Sequence, residues 1–142
     1  MINIVLDTTG SMSVMGKNSG AIYIVKSIQD YCEIHNIKTT LIKLDGSVIK
    51  DLININFSDN TSLDYSFVFS NSILISDGLF ESGKENIFDT SISLGVDADN
   101  SKLEQLSHKV YENENIIAAL EYMIYKNNIN SNINEEEDDD EW

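Results

Sequence analysis

The chain has 142 residues, 42% of them hydrophobic, which is enough for one domain with a substantial core and too little for two ordinary ones. A net charge of −15 and the absence of any arginine exclude the basic surface that displaces counterions from nucleic acid. The single cysteine, Cys32, excludes an intramolecular disulfide and a cysteine zinc site, and no run approaches the roughly 18 apolar residues that a membrane span requires. These features predict a soluble protein in a reducing, cytoplasmic compartment, bound to neither nucleic acid nor membrane. Seven acids sit in the terminal "NEEEDDDEW", and the other 17 still outnumber nine lysines.

"INIVL" at 2–6 is short, β-branched and apolar, as in a strand buried on both faces. A loop with Gly10 and Gly16 leads to "SGAIYIVKSIQDYCEIHN", where Ala21, Ile24, Val25, Ile28 and Cys32 fall at helical spacing and Ser19 is placed to cap. "IKTTLIKLDGSVIKDLININF" alternates around Asp45-Gly46, which predicts an antiparallel hairpin of residues 38–44 and 47–55. "SDNTSLDYSFVFSNS" has room for little more than one short helix. "ILIS" at 73–76 and "SISLGV" read as buried strands, "SKLEQLSHK" as an amphipathic helix, "VYEN" as a short strand and "NIIAALEYMIYKN" as a last helix. The division expected is an ordered domain over 1–126 and a disordered, acidic tail over 127–142.

Strands alternating with helices predict an α/β, Rossmann-like three-layer sandwich: a mostly parallel sheet with one antiparallel hairpin and helices on both faces. In such sheets ligands bind beyond the carboxyl ends of the strands. Asp7, Asp77 and Asp97 each follow a predicted strand and are expected at that edge.

In "VLDTTGSM", residues 5–12, a carboxylate is followed by several hydroxyls with no His or Cys nearby. Hard oxygens select Mg²⁺, with Mn²⁺ or Ca²⁺ as alternatives, over zinc or copper. Alternate residues of an extended turn bring Asp7, Thr9 and Ser11 to one point, and Gly10 permits the curvature. The same composition also makes a capped turn, and composition leaves both readings open.

"VLDTTGSM" resembles the opening of von Willebrand factor A domains, whose metal-ion-dependent adhesion site begins Asp-x-Ser-x-Ser. "ILISDG" is similar to that family's second strand-end aspartate, and "ISLGVDADNSKLEQLSHKVYENENIIAALEYM" to its closing strand, Gly-x-Asp, helix, short strand and final helix. The resemblance implies a reduced version of that fold and a metal site of Asp7, Thr9, Ser11 and Asp77, with Thr9 in place of the commoner serine. It further implies a mid-chain threonine, for which Thr61 in "DNTS" is the candidate although the usual preceding glycine is absent. In the family the hydroxyls touch the metal and the aspartates often act through water. "GVDAD" is similar to the bacterial cytoplasmic branch, including members associated with tellurium resistance, and the Asn- and Ile-rich composition suits a bacterial or phage genome.

Among the other residues, Ser13 reads as a loop cap, and Asp97 and Asp99 as groups near the metal or as leads into the next helix. His35 reads as a helix-end residue, His108 as part of the amphipathic helix, Cys32 as core, and Tyr122, Met123 and Tyr125 as packing groups.

The function expected is a non-enzymatic protein-binding module in which Mg²⁺ engages an Asp or Glu of a partner protein. An acidic chain meets an acidic partner more readily through a bridging cation. Two alternatives stand beside it. One is an acidic decoy whose residues 134–142, ending in Trp142, bind a basic partner. The other is a haloacid-dehalogenase-like Mg²⁺-dependent phosphatase, which lacks its second acid because Thr9 stands there.

Overall fold

The computed structural model describes residues 1–58, 62–64, 66–67, 69–83 and 85–135. Its strands are β1 (Ile2–Leu6), β2 (Thr39–Ile42), β3 (Ser72–Ser76), β4 (Phe88–Ser93) and β5 (Ser107–Glu112). The helices are α1 (Lys17–Ile34), α2 (Asn100–Leu106) and α3 (Ile116–Glu135). The strands form one sheet in the order β2-β1-β3-β4-β5, and every neighbouring pair is parallel.

Alternation along each strand decides which layer it feeds. Ile2, Ile4 and Leu6 of β1, with Ile73 and Ile75 of β3, pack against Ala21, Ile24, Val25 and Ile28 of α1 and Ala119, Leu120 and Met123 of α3. Val5, Leu74 and Ile42 face the other way, onto Leu103 and Leu106 of α2 and onto Leu63 and Phe69 from the long β2–β3 connection. Both faces of β1 and β3 are thus covered, which is why these strands read as mostly apolar without strict alternation. Helices on both faces of a parallel sheet give the expected α/β, Rossmann-like layout.

The antiparallel hairpin is corrected. The turn at Asp45-Gly46 forms, with Lys43 N–H donating to Ser47 C=O at 2.9 Å and the Ser47 N–H and hydroxyl donating to Asp45 Oδ1. The second arm, however, reduces to one isolated antiparallel bridge, Ile42 to Val48. Beyond it the backbone is taken by local side-chain bonds: Asp51 accepts from Ile53 N–H and Asn54 Nδ2, and Asn56 accepts from Ser58 N–H. Such bonds compete with a ladder. Ile49, Leu52 and Ile55 pack onto the α1 side of the core at a spacing of three, which no strand can present to one face.

Three boundaries also move. Helix α1 begins at Lys17, with Gly16 as its cap residue, so Ser19 lies inside the first turn. Helix α2 ends at Leu106, and His108 lies exposed on β5. Helix α3 continues to Glu135, beyond its expected end near 126. Among the described residues no helix is long and apolar enough to cross a membrane.

Candidate functional site

β1 lies between β2 and β3, and its chain leaves toward α1, whereas β4 leaves toward α2 on the opposite face. Loops that diverge in this way open a crevice at the carboxyl ends of β1 and β3. Asp7 directly follows β1 and Asp77 directly follows β3. Both are fully buried.

Asp7 is held from both sides. Its Oδ1 accepts from Thr9 N–H at 2.9 Å and from Thr9 Oγ1 at 2.6 Å, and its Oδ2 accepts from Ser76 Oγ at 2.6 Å. Ser76 Oγ in turn accepts from Gly78 N–H at 2.8 Å, which ties the two strand ends together. Burial pushes the Asp7 carboxyl above its ordinary range; the bonds from Ser76 and Thr9 oppose that rise, and the charge of Asp77 adds to it. Thr9 donates its hydroxyl proton to Asp7, which leaves the lone pairs of its oxygen to act as acceptors.

Beyond Thr9 the chain does not stay extended. Residues Gly10–Ser13 form one 3-10 turn, and Ser13 Oγ closes it on Gly10 C=O at 2.7 Å, the capping role expected of Ser13. The turn, rather than alternation along an extended segment, places Ser11 beside Thr9, and both line an open groove of about 390 Å³ with Ser62, Leu63, Leu79 and Glu81. Ser11 Oγ is shielded from solvent and has no hydrogen-bond partner among the described residues. A buried hydroxyl without a partner is costly unless something else supplies one. Thr61 lies outside the described residues, although Ser62 and Leu63, which follow it, line the groove.

Asp77 is committed to a residue absent from the sequence-derived site. Lys17 Nζ, buried at the first position of α1, donates to Asp77 Oδ2 at 2.9 Å and to Asp97 at 2.8 and 3.0 Å. Asp77 Oδ1 accepts from Leu79 N–H. Burial disfavours the Lys17 ammonium, but its bonds to Asp97 and Asp77 outweigh that cost and hold its pKa above the ordinary value. The bond from Lys17 holds the Asp97 carboxyl below its own. Gly95, at φ +98°, makes room for the lysine stem, since a Cβ there would lie 2.9 Å from Lys17 Cδ. Asp97 therefore serves the lysine, while Asp99 caps α2 by accepting from Lys102 N–H.

Lys17 left a legible trace: it stands four residues before Ala21, on the same stripe as Ile24, Val25, Ile28 and Cys32. A lysine on a buried stripe requires buried acids. Ser76, the second anchor of Asp7, was hidden inside an apolar strand.

Neither a family model nor a curated protein matches the chain.

The remaining assignments sort by burial. Cys32 and Met123 are core residues, and Thr90 Oγ1 donates to Met123 Sδ. His35 ends α1 with its ring 4.4 Å from that of Tyr31. Tyr122 packs partly buried against the core, whereas Tyr125 is exposed.

Proposed function

We propose that the chain is a non-catalytic protein-binding module that uses a divalent cation, Mg²⁺ by its donor chemistry, to engage a carboxylate of a partner protein. The observation that carries this proposal is the shielded Ser11 Oγ, unpartnered among the described residues, in the groove that Thr9 also lines, with the Thr9 hydroxyl proton already given to Asp7. Two hydroxyl oxygens lining one groove, one of them bonded to a buried carboxylate, fit a hard cation. Thr9 and Ser11 would hold the ion directly, and Asp7 would orient Thr9 and supply negative charge. Asp77, paired with Lys17, would contribute charge through water, as the resemblance to von Willebrand factor A domains implies. Thr61 remains the proposed mid-chain ligand. Bound there, the cation would supply an electrophilic position for an incoming Asp or Glu.

The surroundings favour a macromolecular partner. Met15, Leu79 and Val96, on three loops at the carboxyl edge of the sheet, are all exposed, and Val96 is 94% accessible. Large apolar side chains left exposed near a polar site are available for burial by a protein partner. Both oxygens of Asp7 accept hydrogen bonds from the protein, which disfavours its use as the nucleophile of a phosphatase.

The test is calorimetric titration of Mg²⁺ and Mn²⁺ into the full chain and its Ser11→Ala variant, with pull-downs in Mg²⁺ and in EDTA. Saturable binding that Ser11→Ala weakens, and a partner released by EDTA, are expected. No measurable cation affinity, or capture insensitive to EDTA, overturns the proposal.

A further inference from the structure

The outer side of α1 and the start of α3 carry large apolar side chains that the core does not use. Tyr23, Ile34 and Ile117 are 69%, 78% and 53% exposed. With Tyr31 and Ile116, which are partly buried against the core, they line a groove of about 560 Å³ between α1 and the start of α3. Among the described residues its charged lining residues are both acidic, Asp30 on α1 and Glu114 in the turn before α3. None of the cation-site residues lines it.

Large apolar side chains gathered in a cleft between two helices form a surface suited to the apolar ridge of a third. Charge selects which helix. A second copy of this chain, at −15, would bring its own acids to the cleft, and so would its own segment 134–142. Both are disfavoured by like-charge repulsion, whereas Lys or Arg flanking an apolar ridge would meet Asp30 and Glu114 with opposite sign. We propose that this groove docks an amphipathic helix with basic flanks, contributed by a partner protein. The site is independent of the cation and requires none.

The probe is a designed Leu/Lys amphipathic peptide of about 18 residues, long enough to form a helix, compared with a Leu/Glu peptide of the same apolar pattern. Binding to the full chain is followed by fluorescence anisotropy at physiological salt and by amide chemical shifts. The Leu/Lys peptide is expected to bind, to shift α1 and the start of α3, and to lose about tenfold in affinity on Ile34→Ser or Tyr23→Ser. Those substitutions leave the charge unchanged and lie on the surface, so the fold persists. Unchanged affinity in both variants, equal binding of the Leu/Glu peptide, or shifts confined to residues 134–142 overturns the proposal. Concentration-dependent dimerisation abolished by Ile34→Ser overturns it in favour of a self-interface.

Discussion

Lys17 Nζ and Asp77 Oδ2 lie 2.9 Å apart, with both side chains at most 1% exposed. The pair joins the start of α1 to the end of β3 across the crevice that holds the candidate site. Removing one partner of such a pair leaves the other charge buried and uncompensated, at a cost of roughly 3–5 kcal/mol. Lys17→Met is expected to lose about that much stability in urea unfolding at pH 7. The Lys17→Met, Asp77→Asn double variant is expected to recover a large part of it. A Lys17→Met chain as stable as the parent refutes the structural role.

Asp7 is expected to weaken the fold at neutral pH. Its folded pKa is raised above the ordinary value of 3.8, so between those two values the native state binds more protons than the unfolded state. Its contribution is therefore most favourable at low pH and declines as pH rises through the folded pKa. Asp7→Asn, which keeps an acceptor for Thr9, is expected to stabilise the chain at pH 7 and to flatten the stability profile above pH 3.8, while abolishing cation affinity. Denaturant midpoints measured across pH check the first outcome and calorimetry the second.

Lys17 and Asp97 act with the opposite consequence at neutral pH. The Lys17 pKa is raised, so its stabilisation is complete below 10.5 and is lost as pH rises through the folded value. The Asp97 pKa is lowered, so its contribution is present above 3.8 and is lost as pH falls through its folded value. The parent is expected to lose stability in alkali and Lys17→Met to lack that loss, which unfolding curves between neutral pH and strong alkali would reveal.

Ser11→Ala separates ligation from folding. Its hydroxyl is buried and makes no hydrogen bond among the described residues, so without cation its removal is expected to leave stability unchanged or raise it by about 1 kcal/mol. Mg²⁺ affinity is expected to fall about tenfold or more, equivalent to about 1.4 kcal/mol. A loss of stability without a change in affinity makes the hydroxyl structural.

Gly78→Ala tests how tightly the two loops at the site are coupled. Gly78 sits at φ +74°, and a Cβ there would lie 2.7 Å from the Asp99 carbonyl oxygen, beside the 2.8 Å bond from Asp99 N–H to Asp77 C=O. Strain of this kind costs roughly 1–3 kcal/mol. Lower thermal stability and increased amide exchange at Asp99 are expected.

Several features were legible before folding. The apolar runs of β1 and β3 marked strands buried on both faces, and the α1 stripe from Ala21 to Cys32 gave its inner side. A strand-end acid followed by hydroxyls placed Asp7 and Thr9 together, because contacts two residues apart depend on local backbone alone. The hairpin misled: its alternation and turn signal were present, but Asp51 and Asn56 offered the backbone local bonds that outcompeted pairing.

The sequence by itself determined the layering and the position of acids and hydroxyls at one edge, since hydrophobic period and chain direction carry that information locally. Only the tertiary structure decided the partners of those acids. Ser76 reaches Asp7 across 69 positions of sequence and Lys17 reaches Asp77 across 60, so each pairing depends on which strands lie side by side. Parallel pairing of β1 with β3 makes Asp7 and Ser76 neighbours, and burial then compels the acids at that edge to find hydrogen-bond donors.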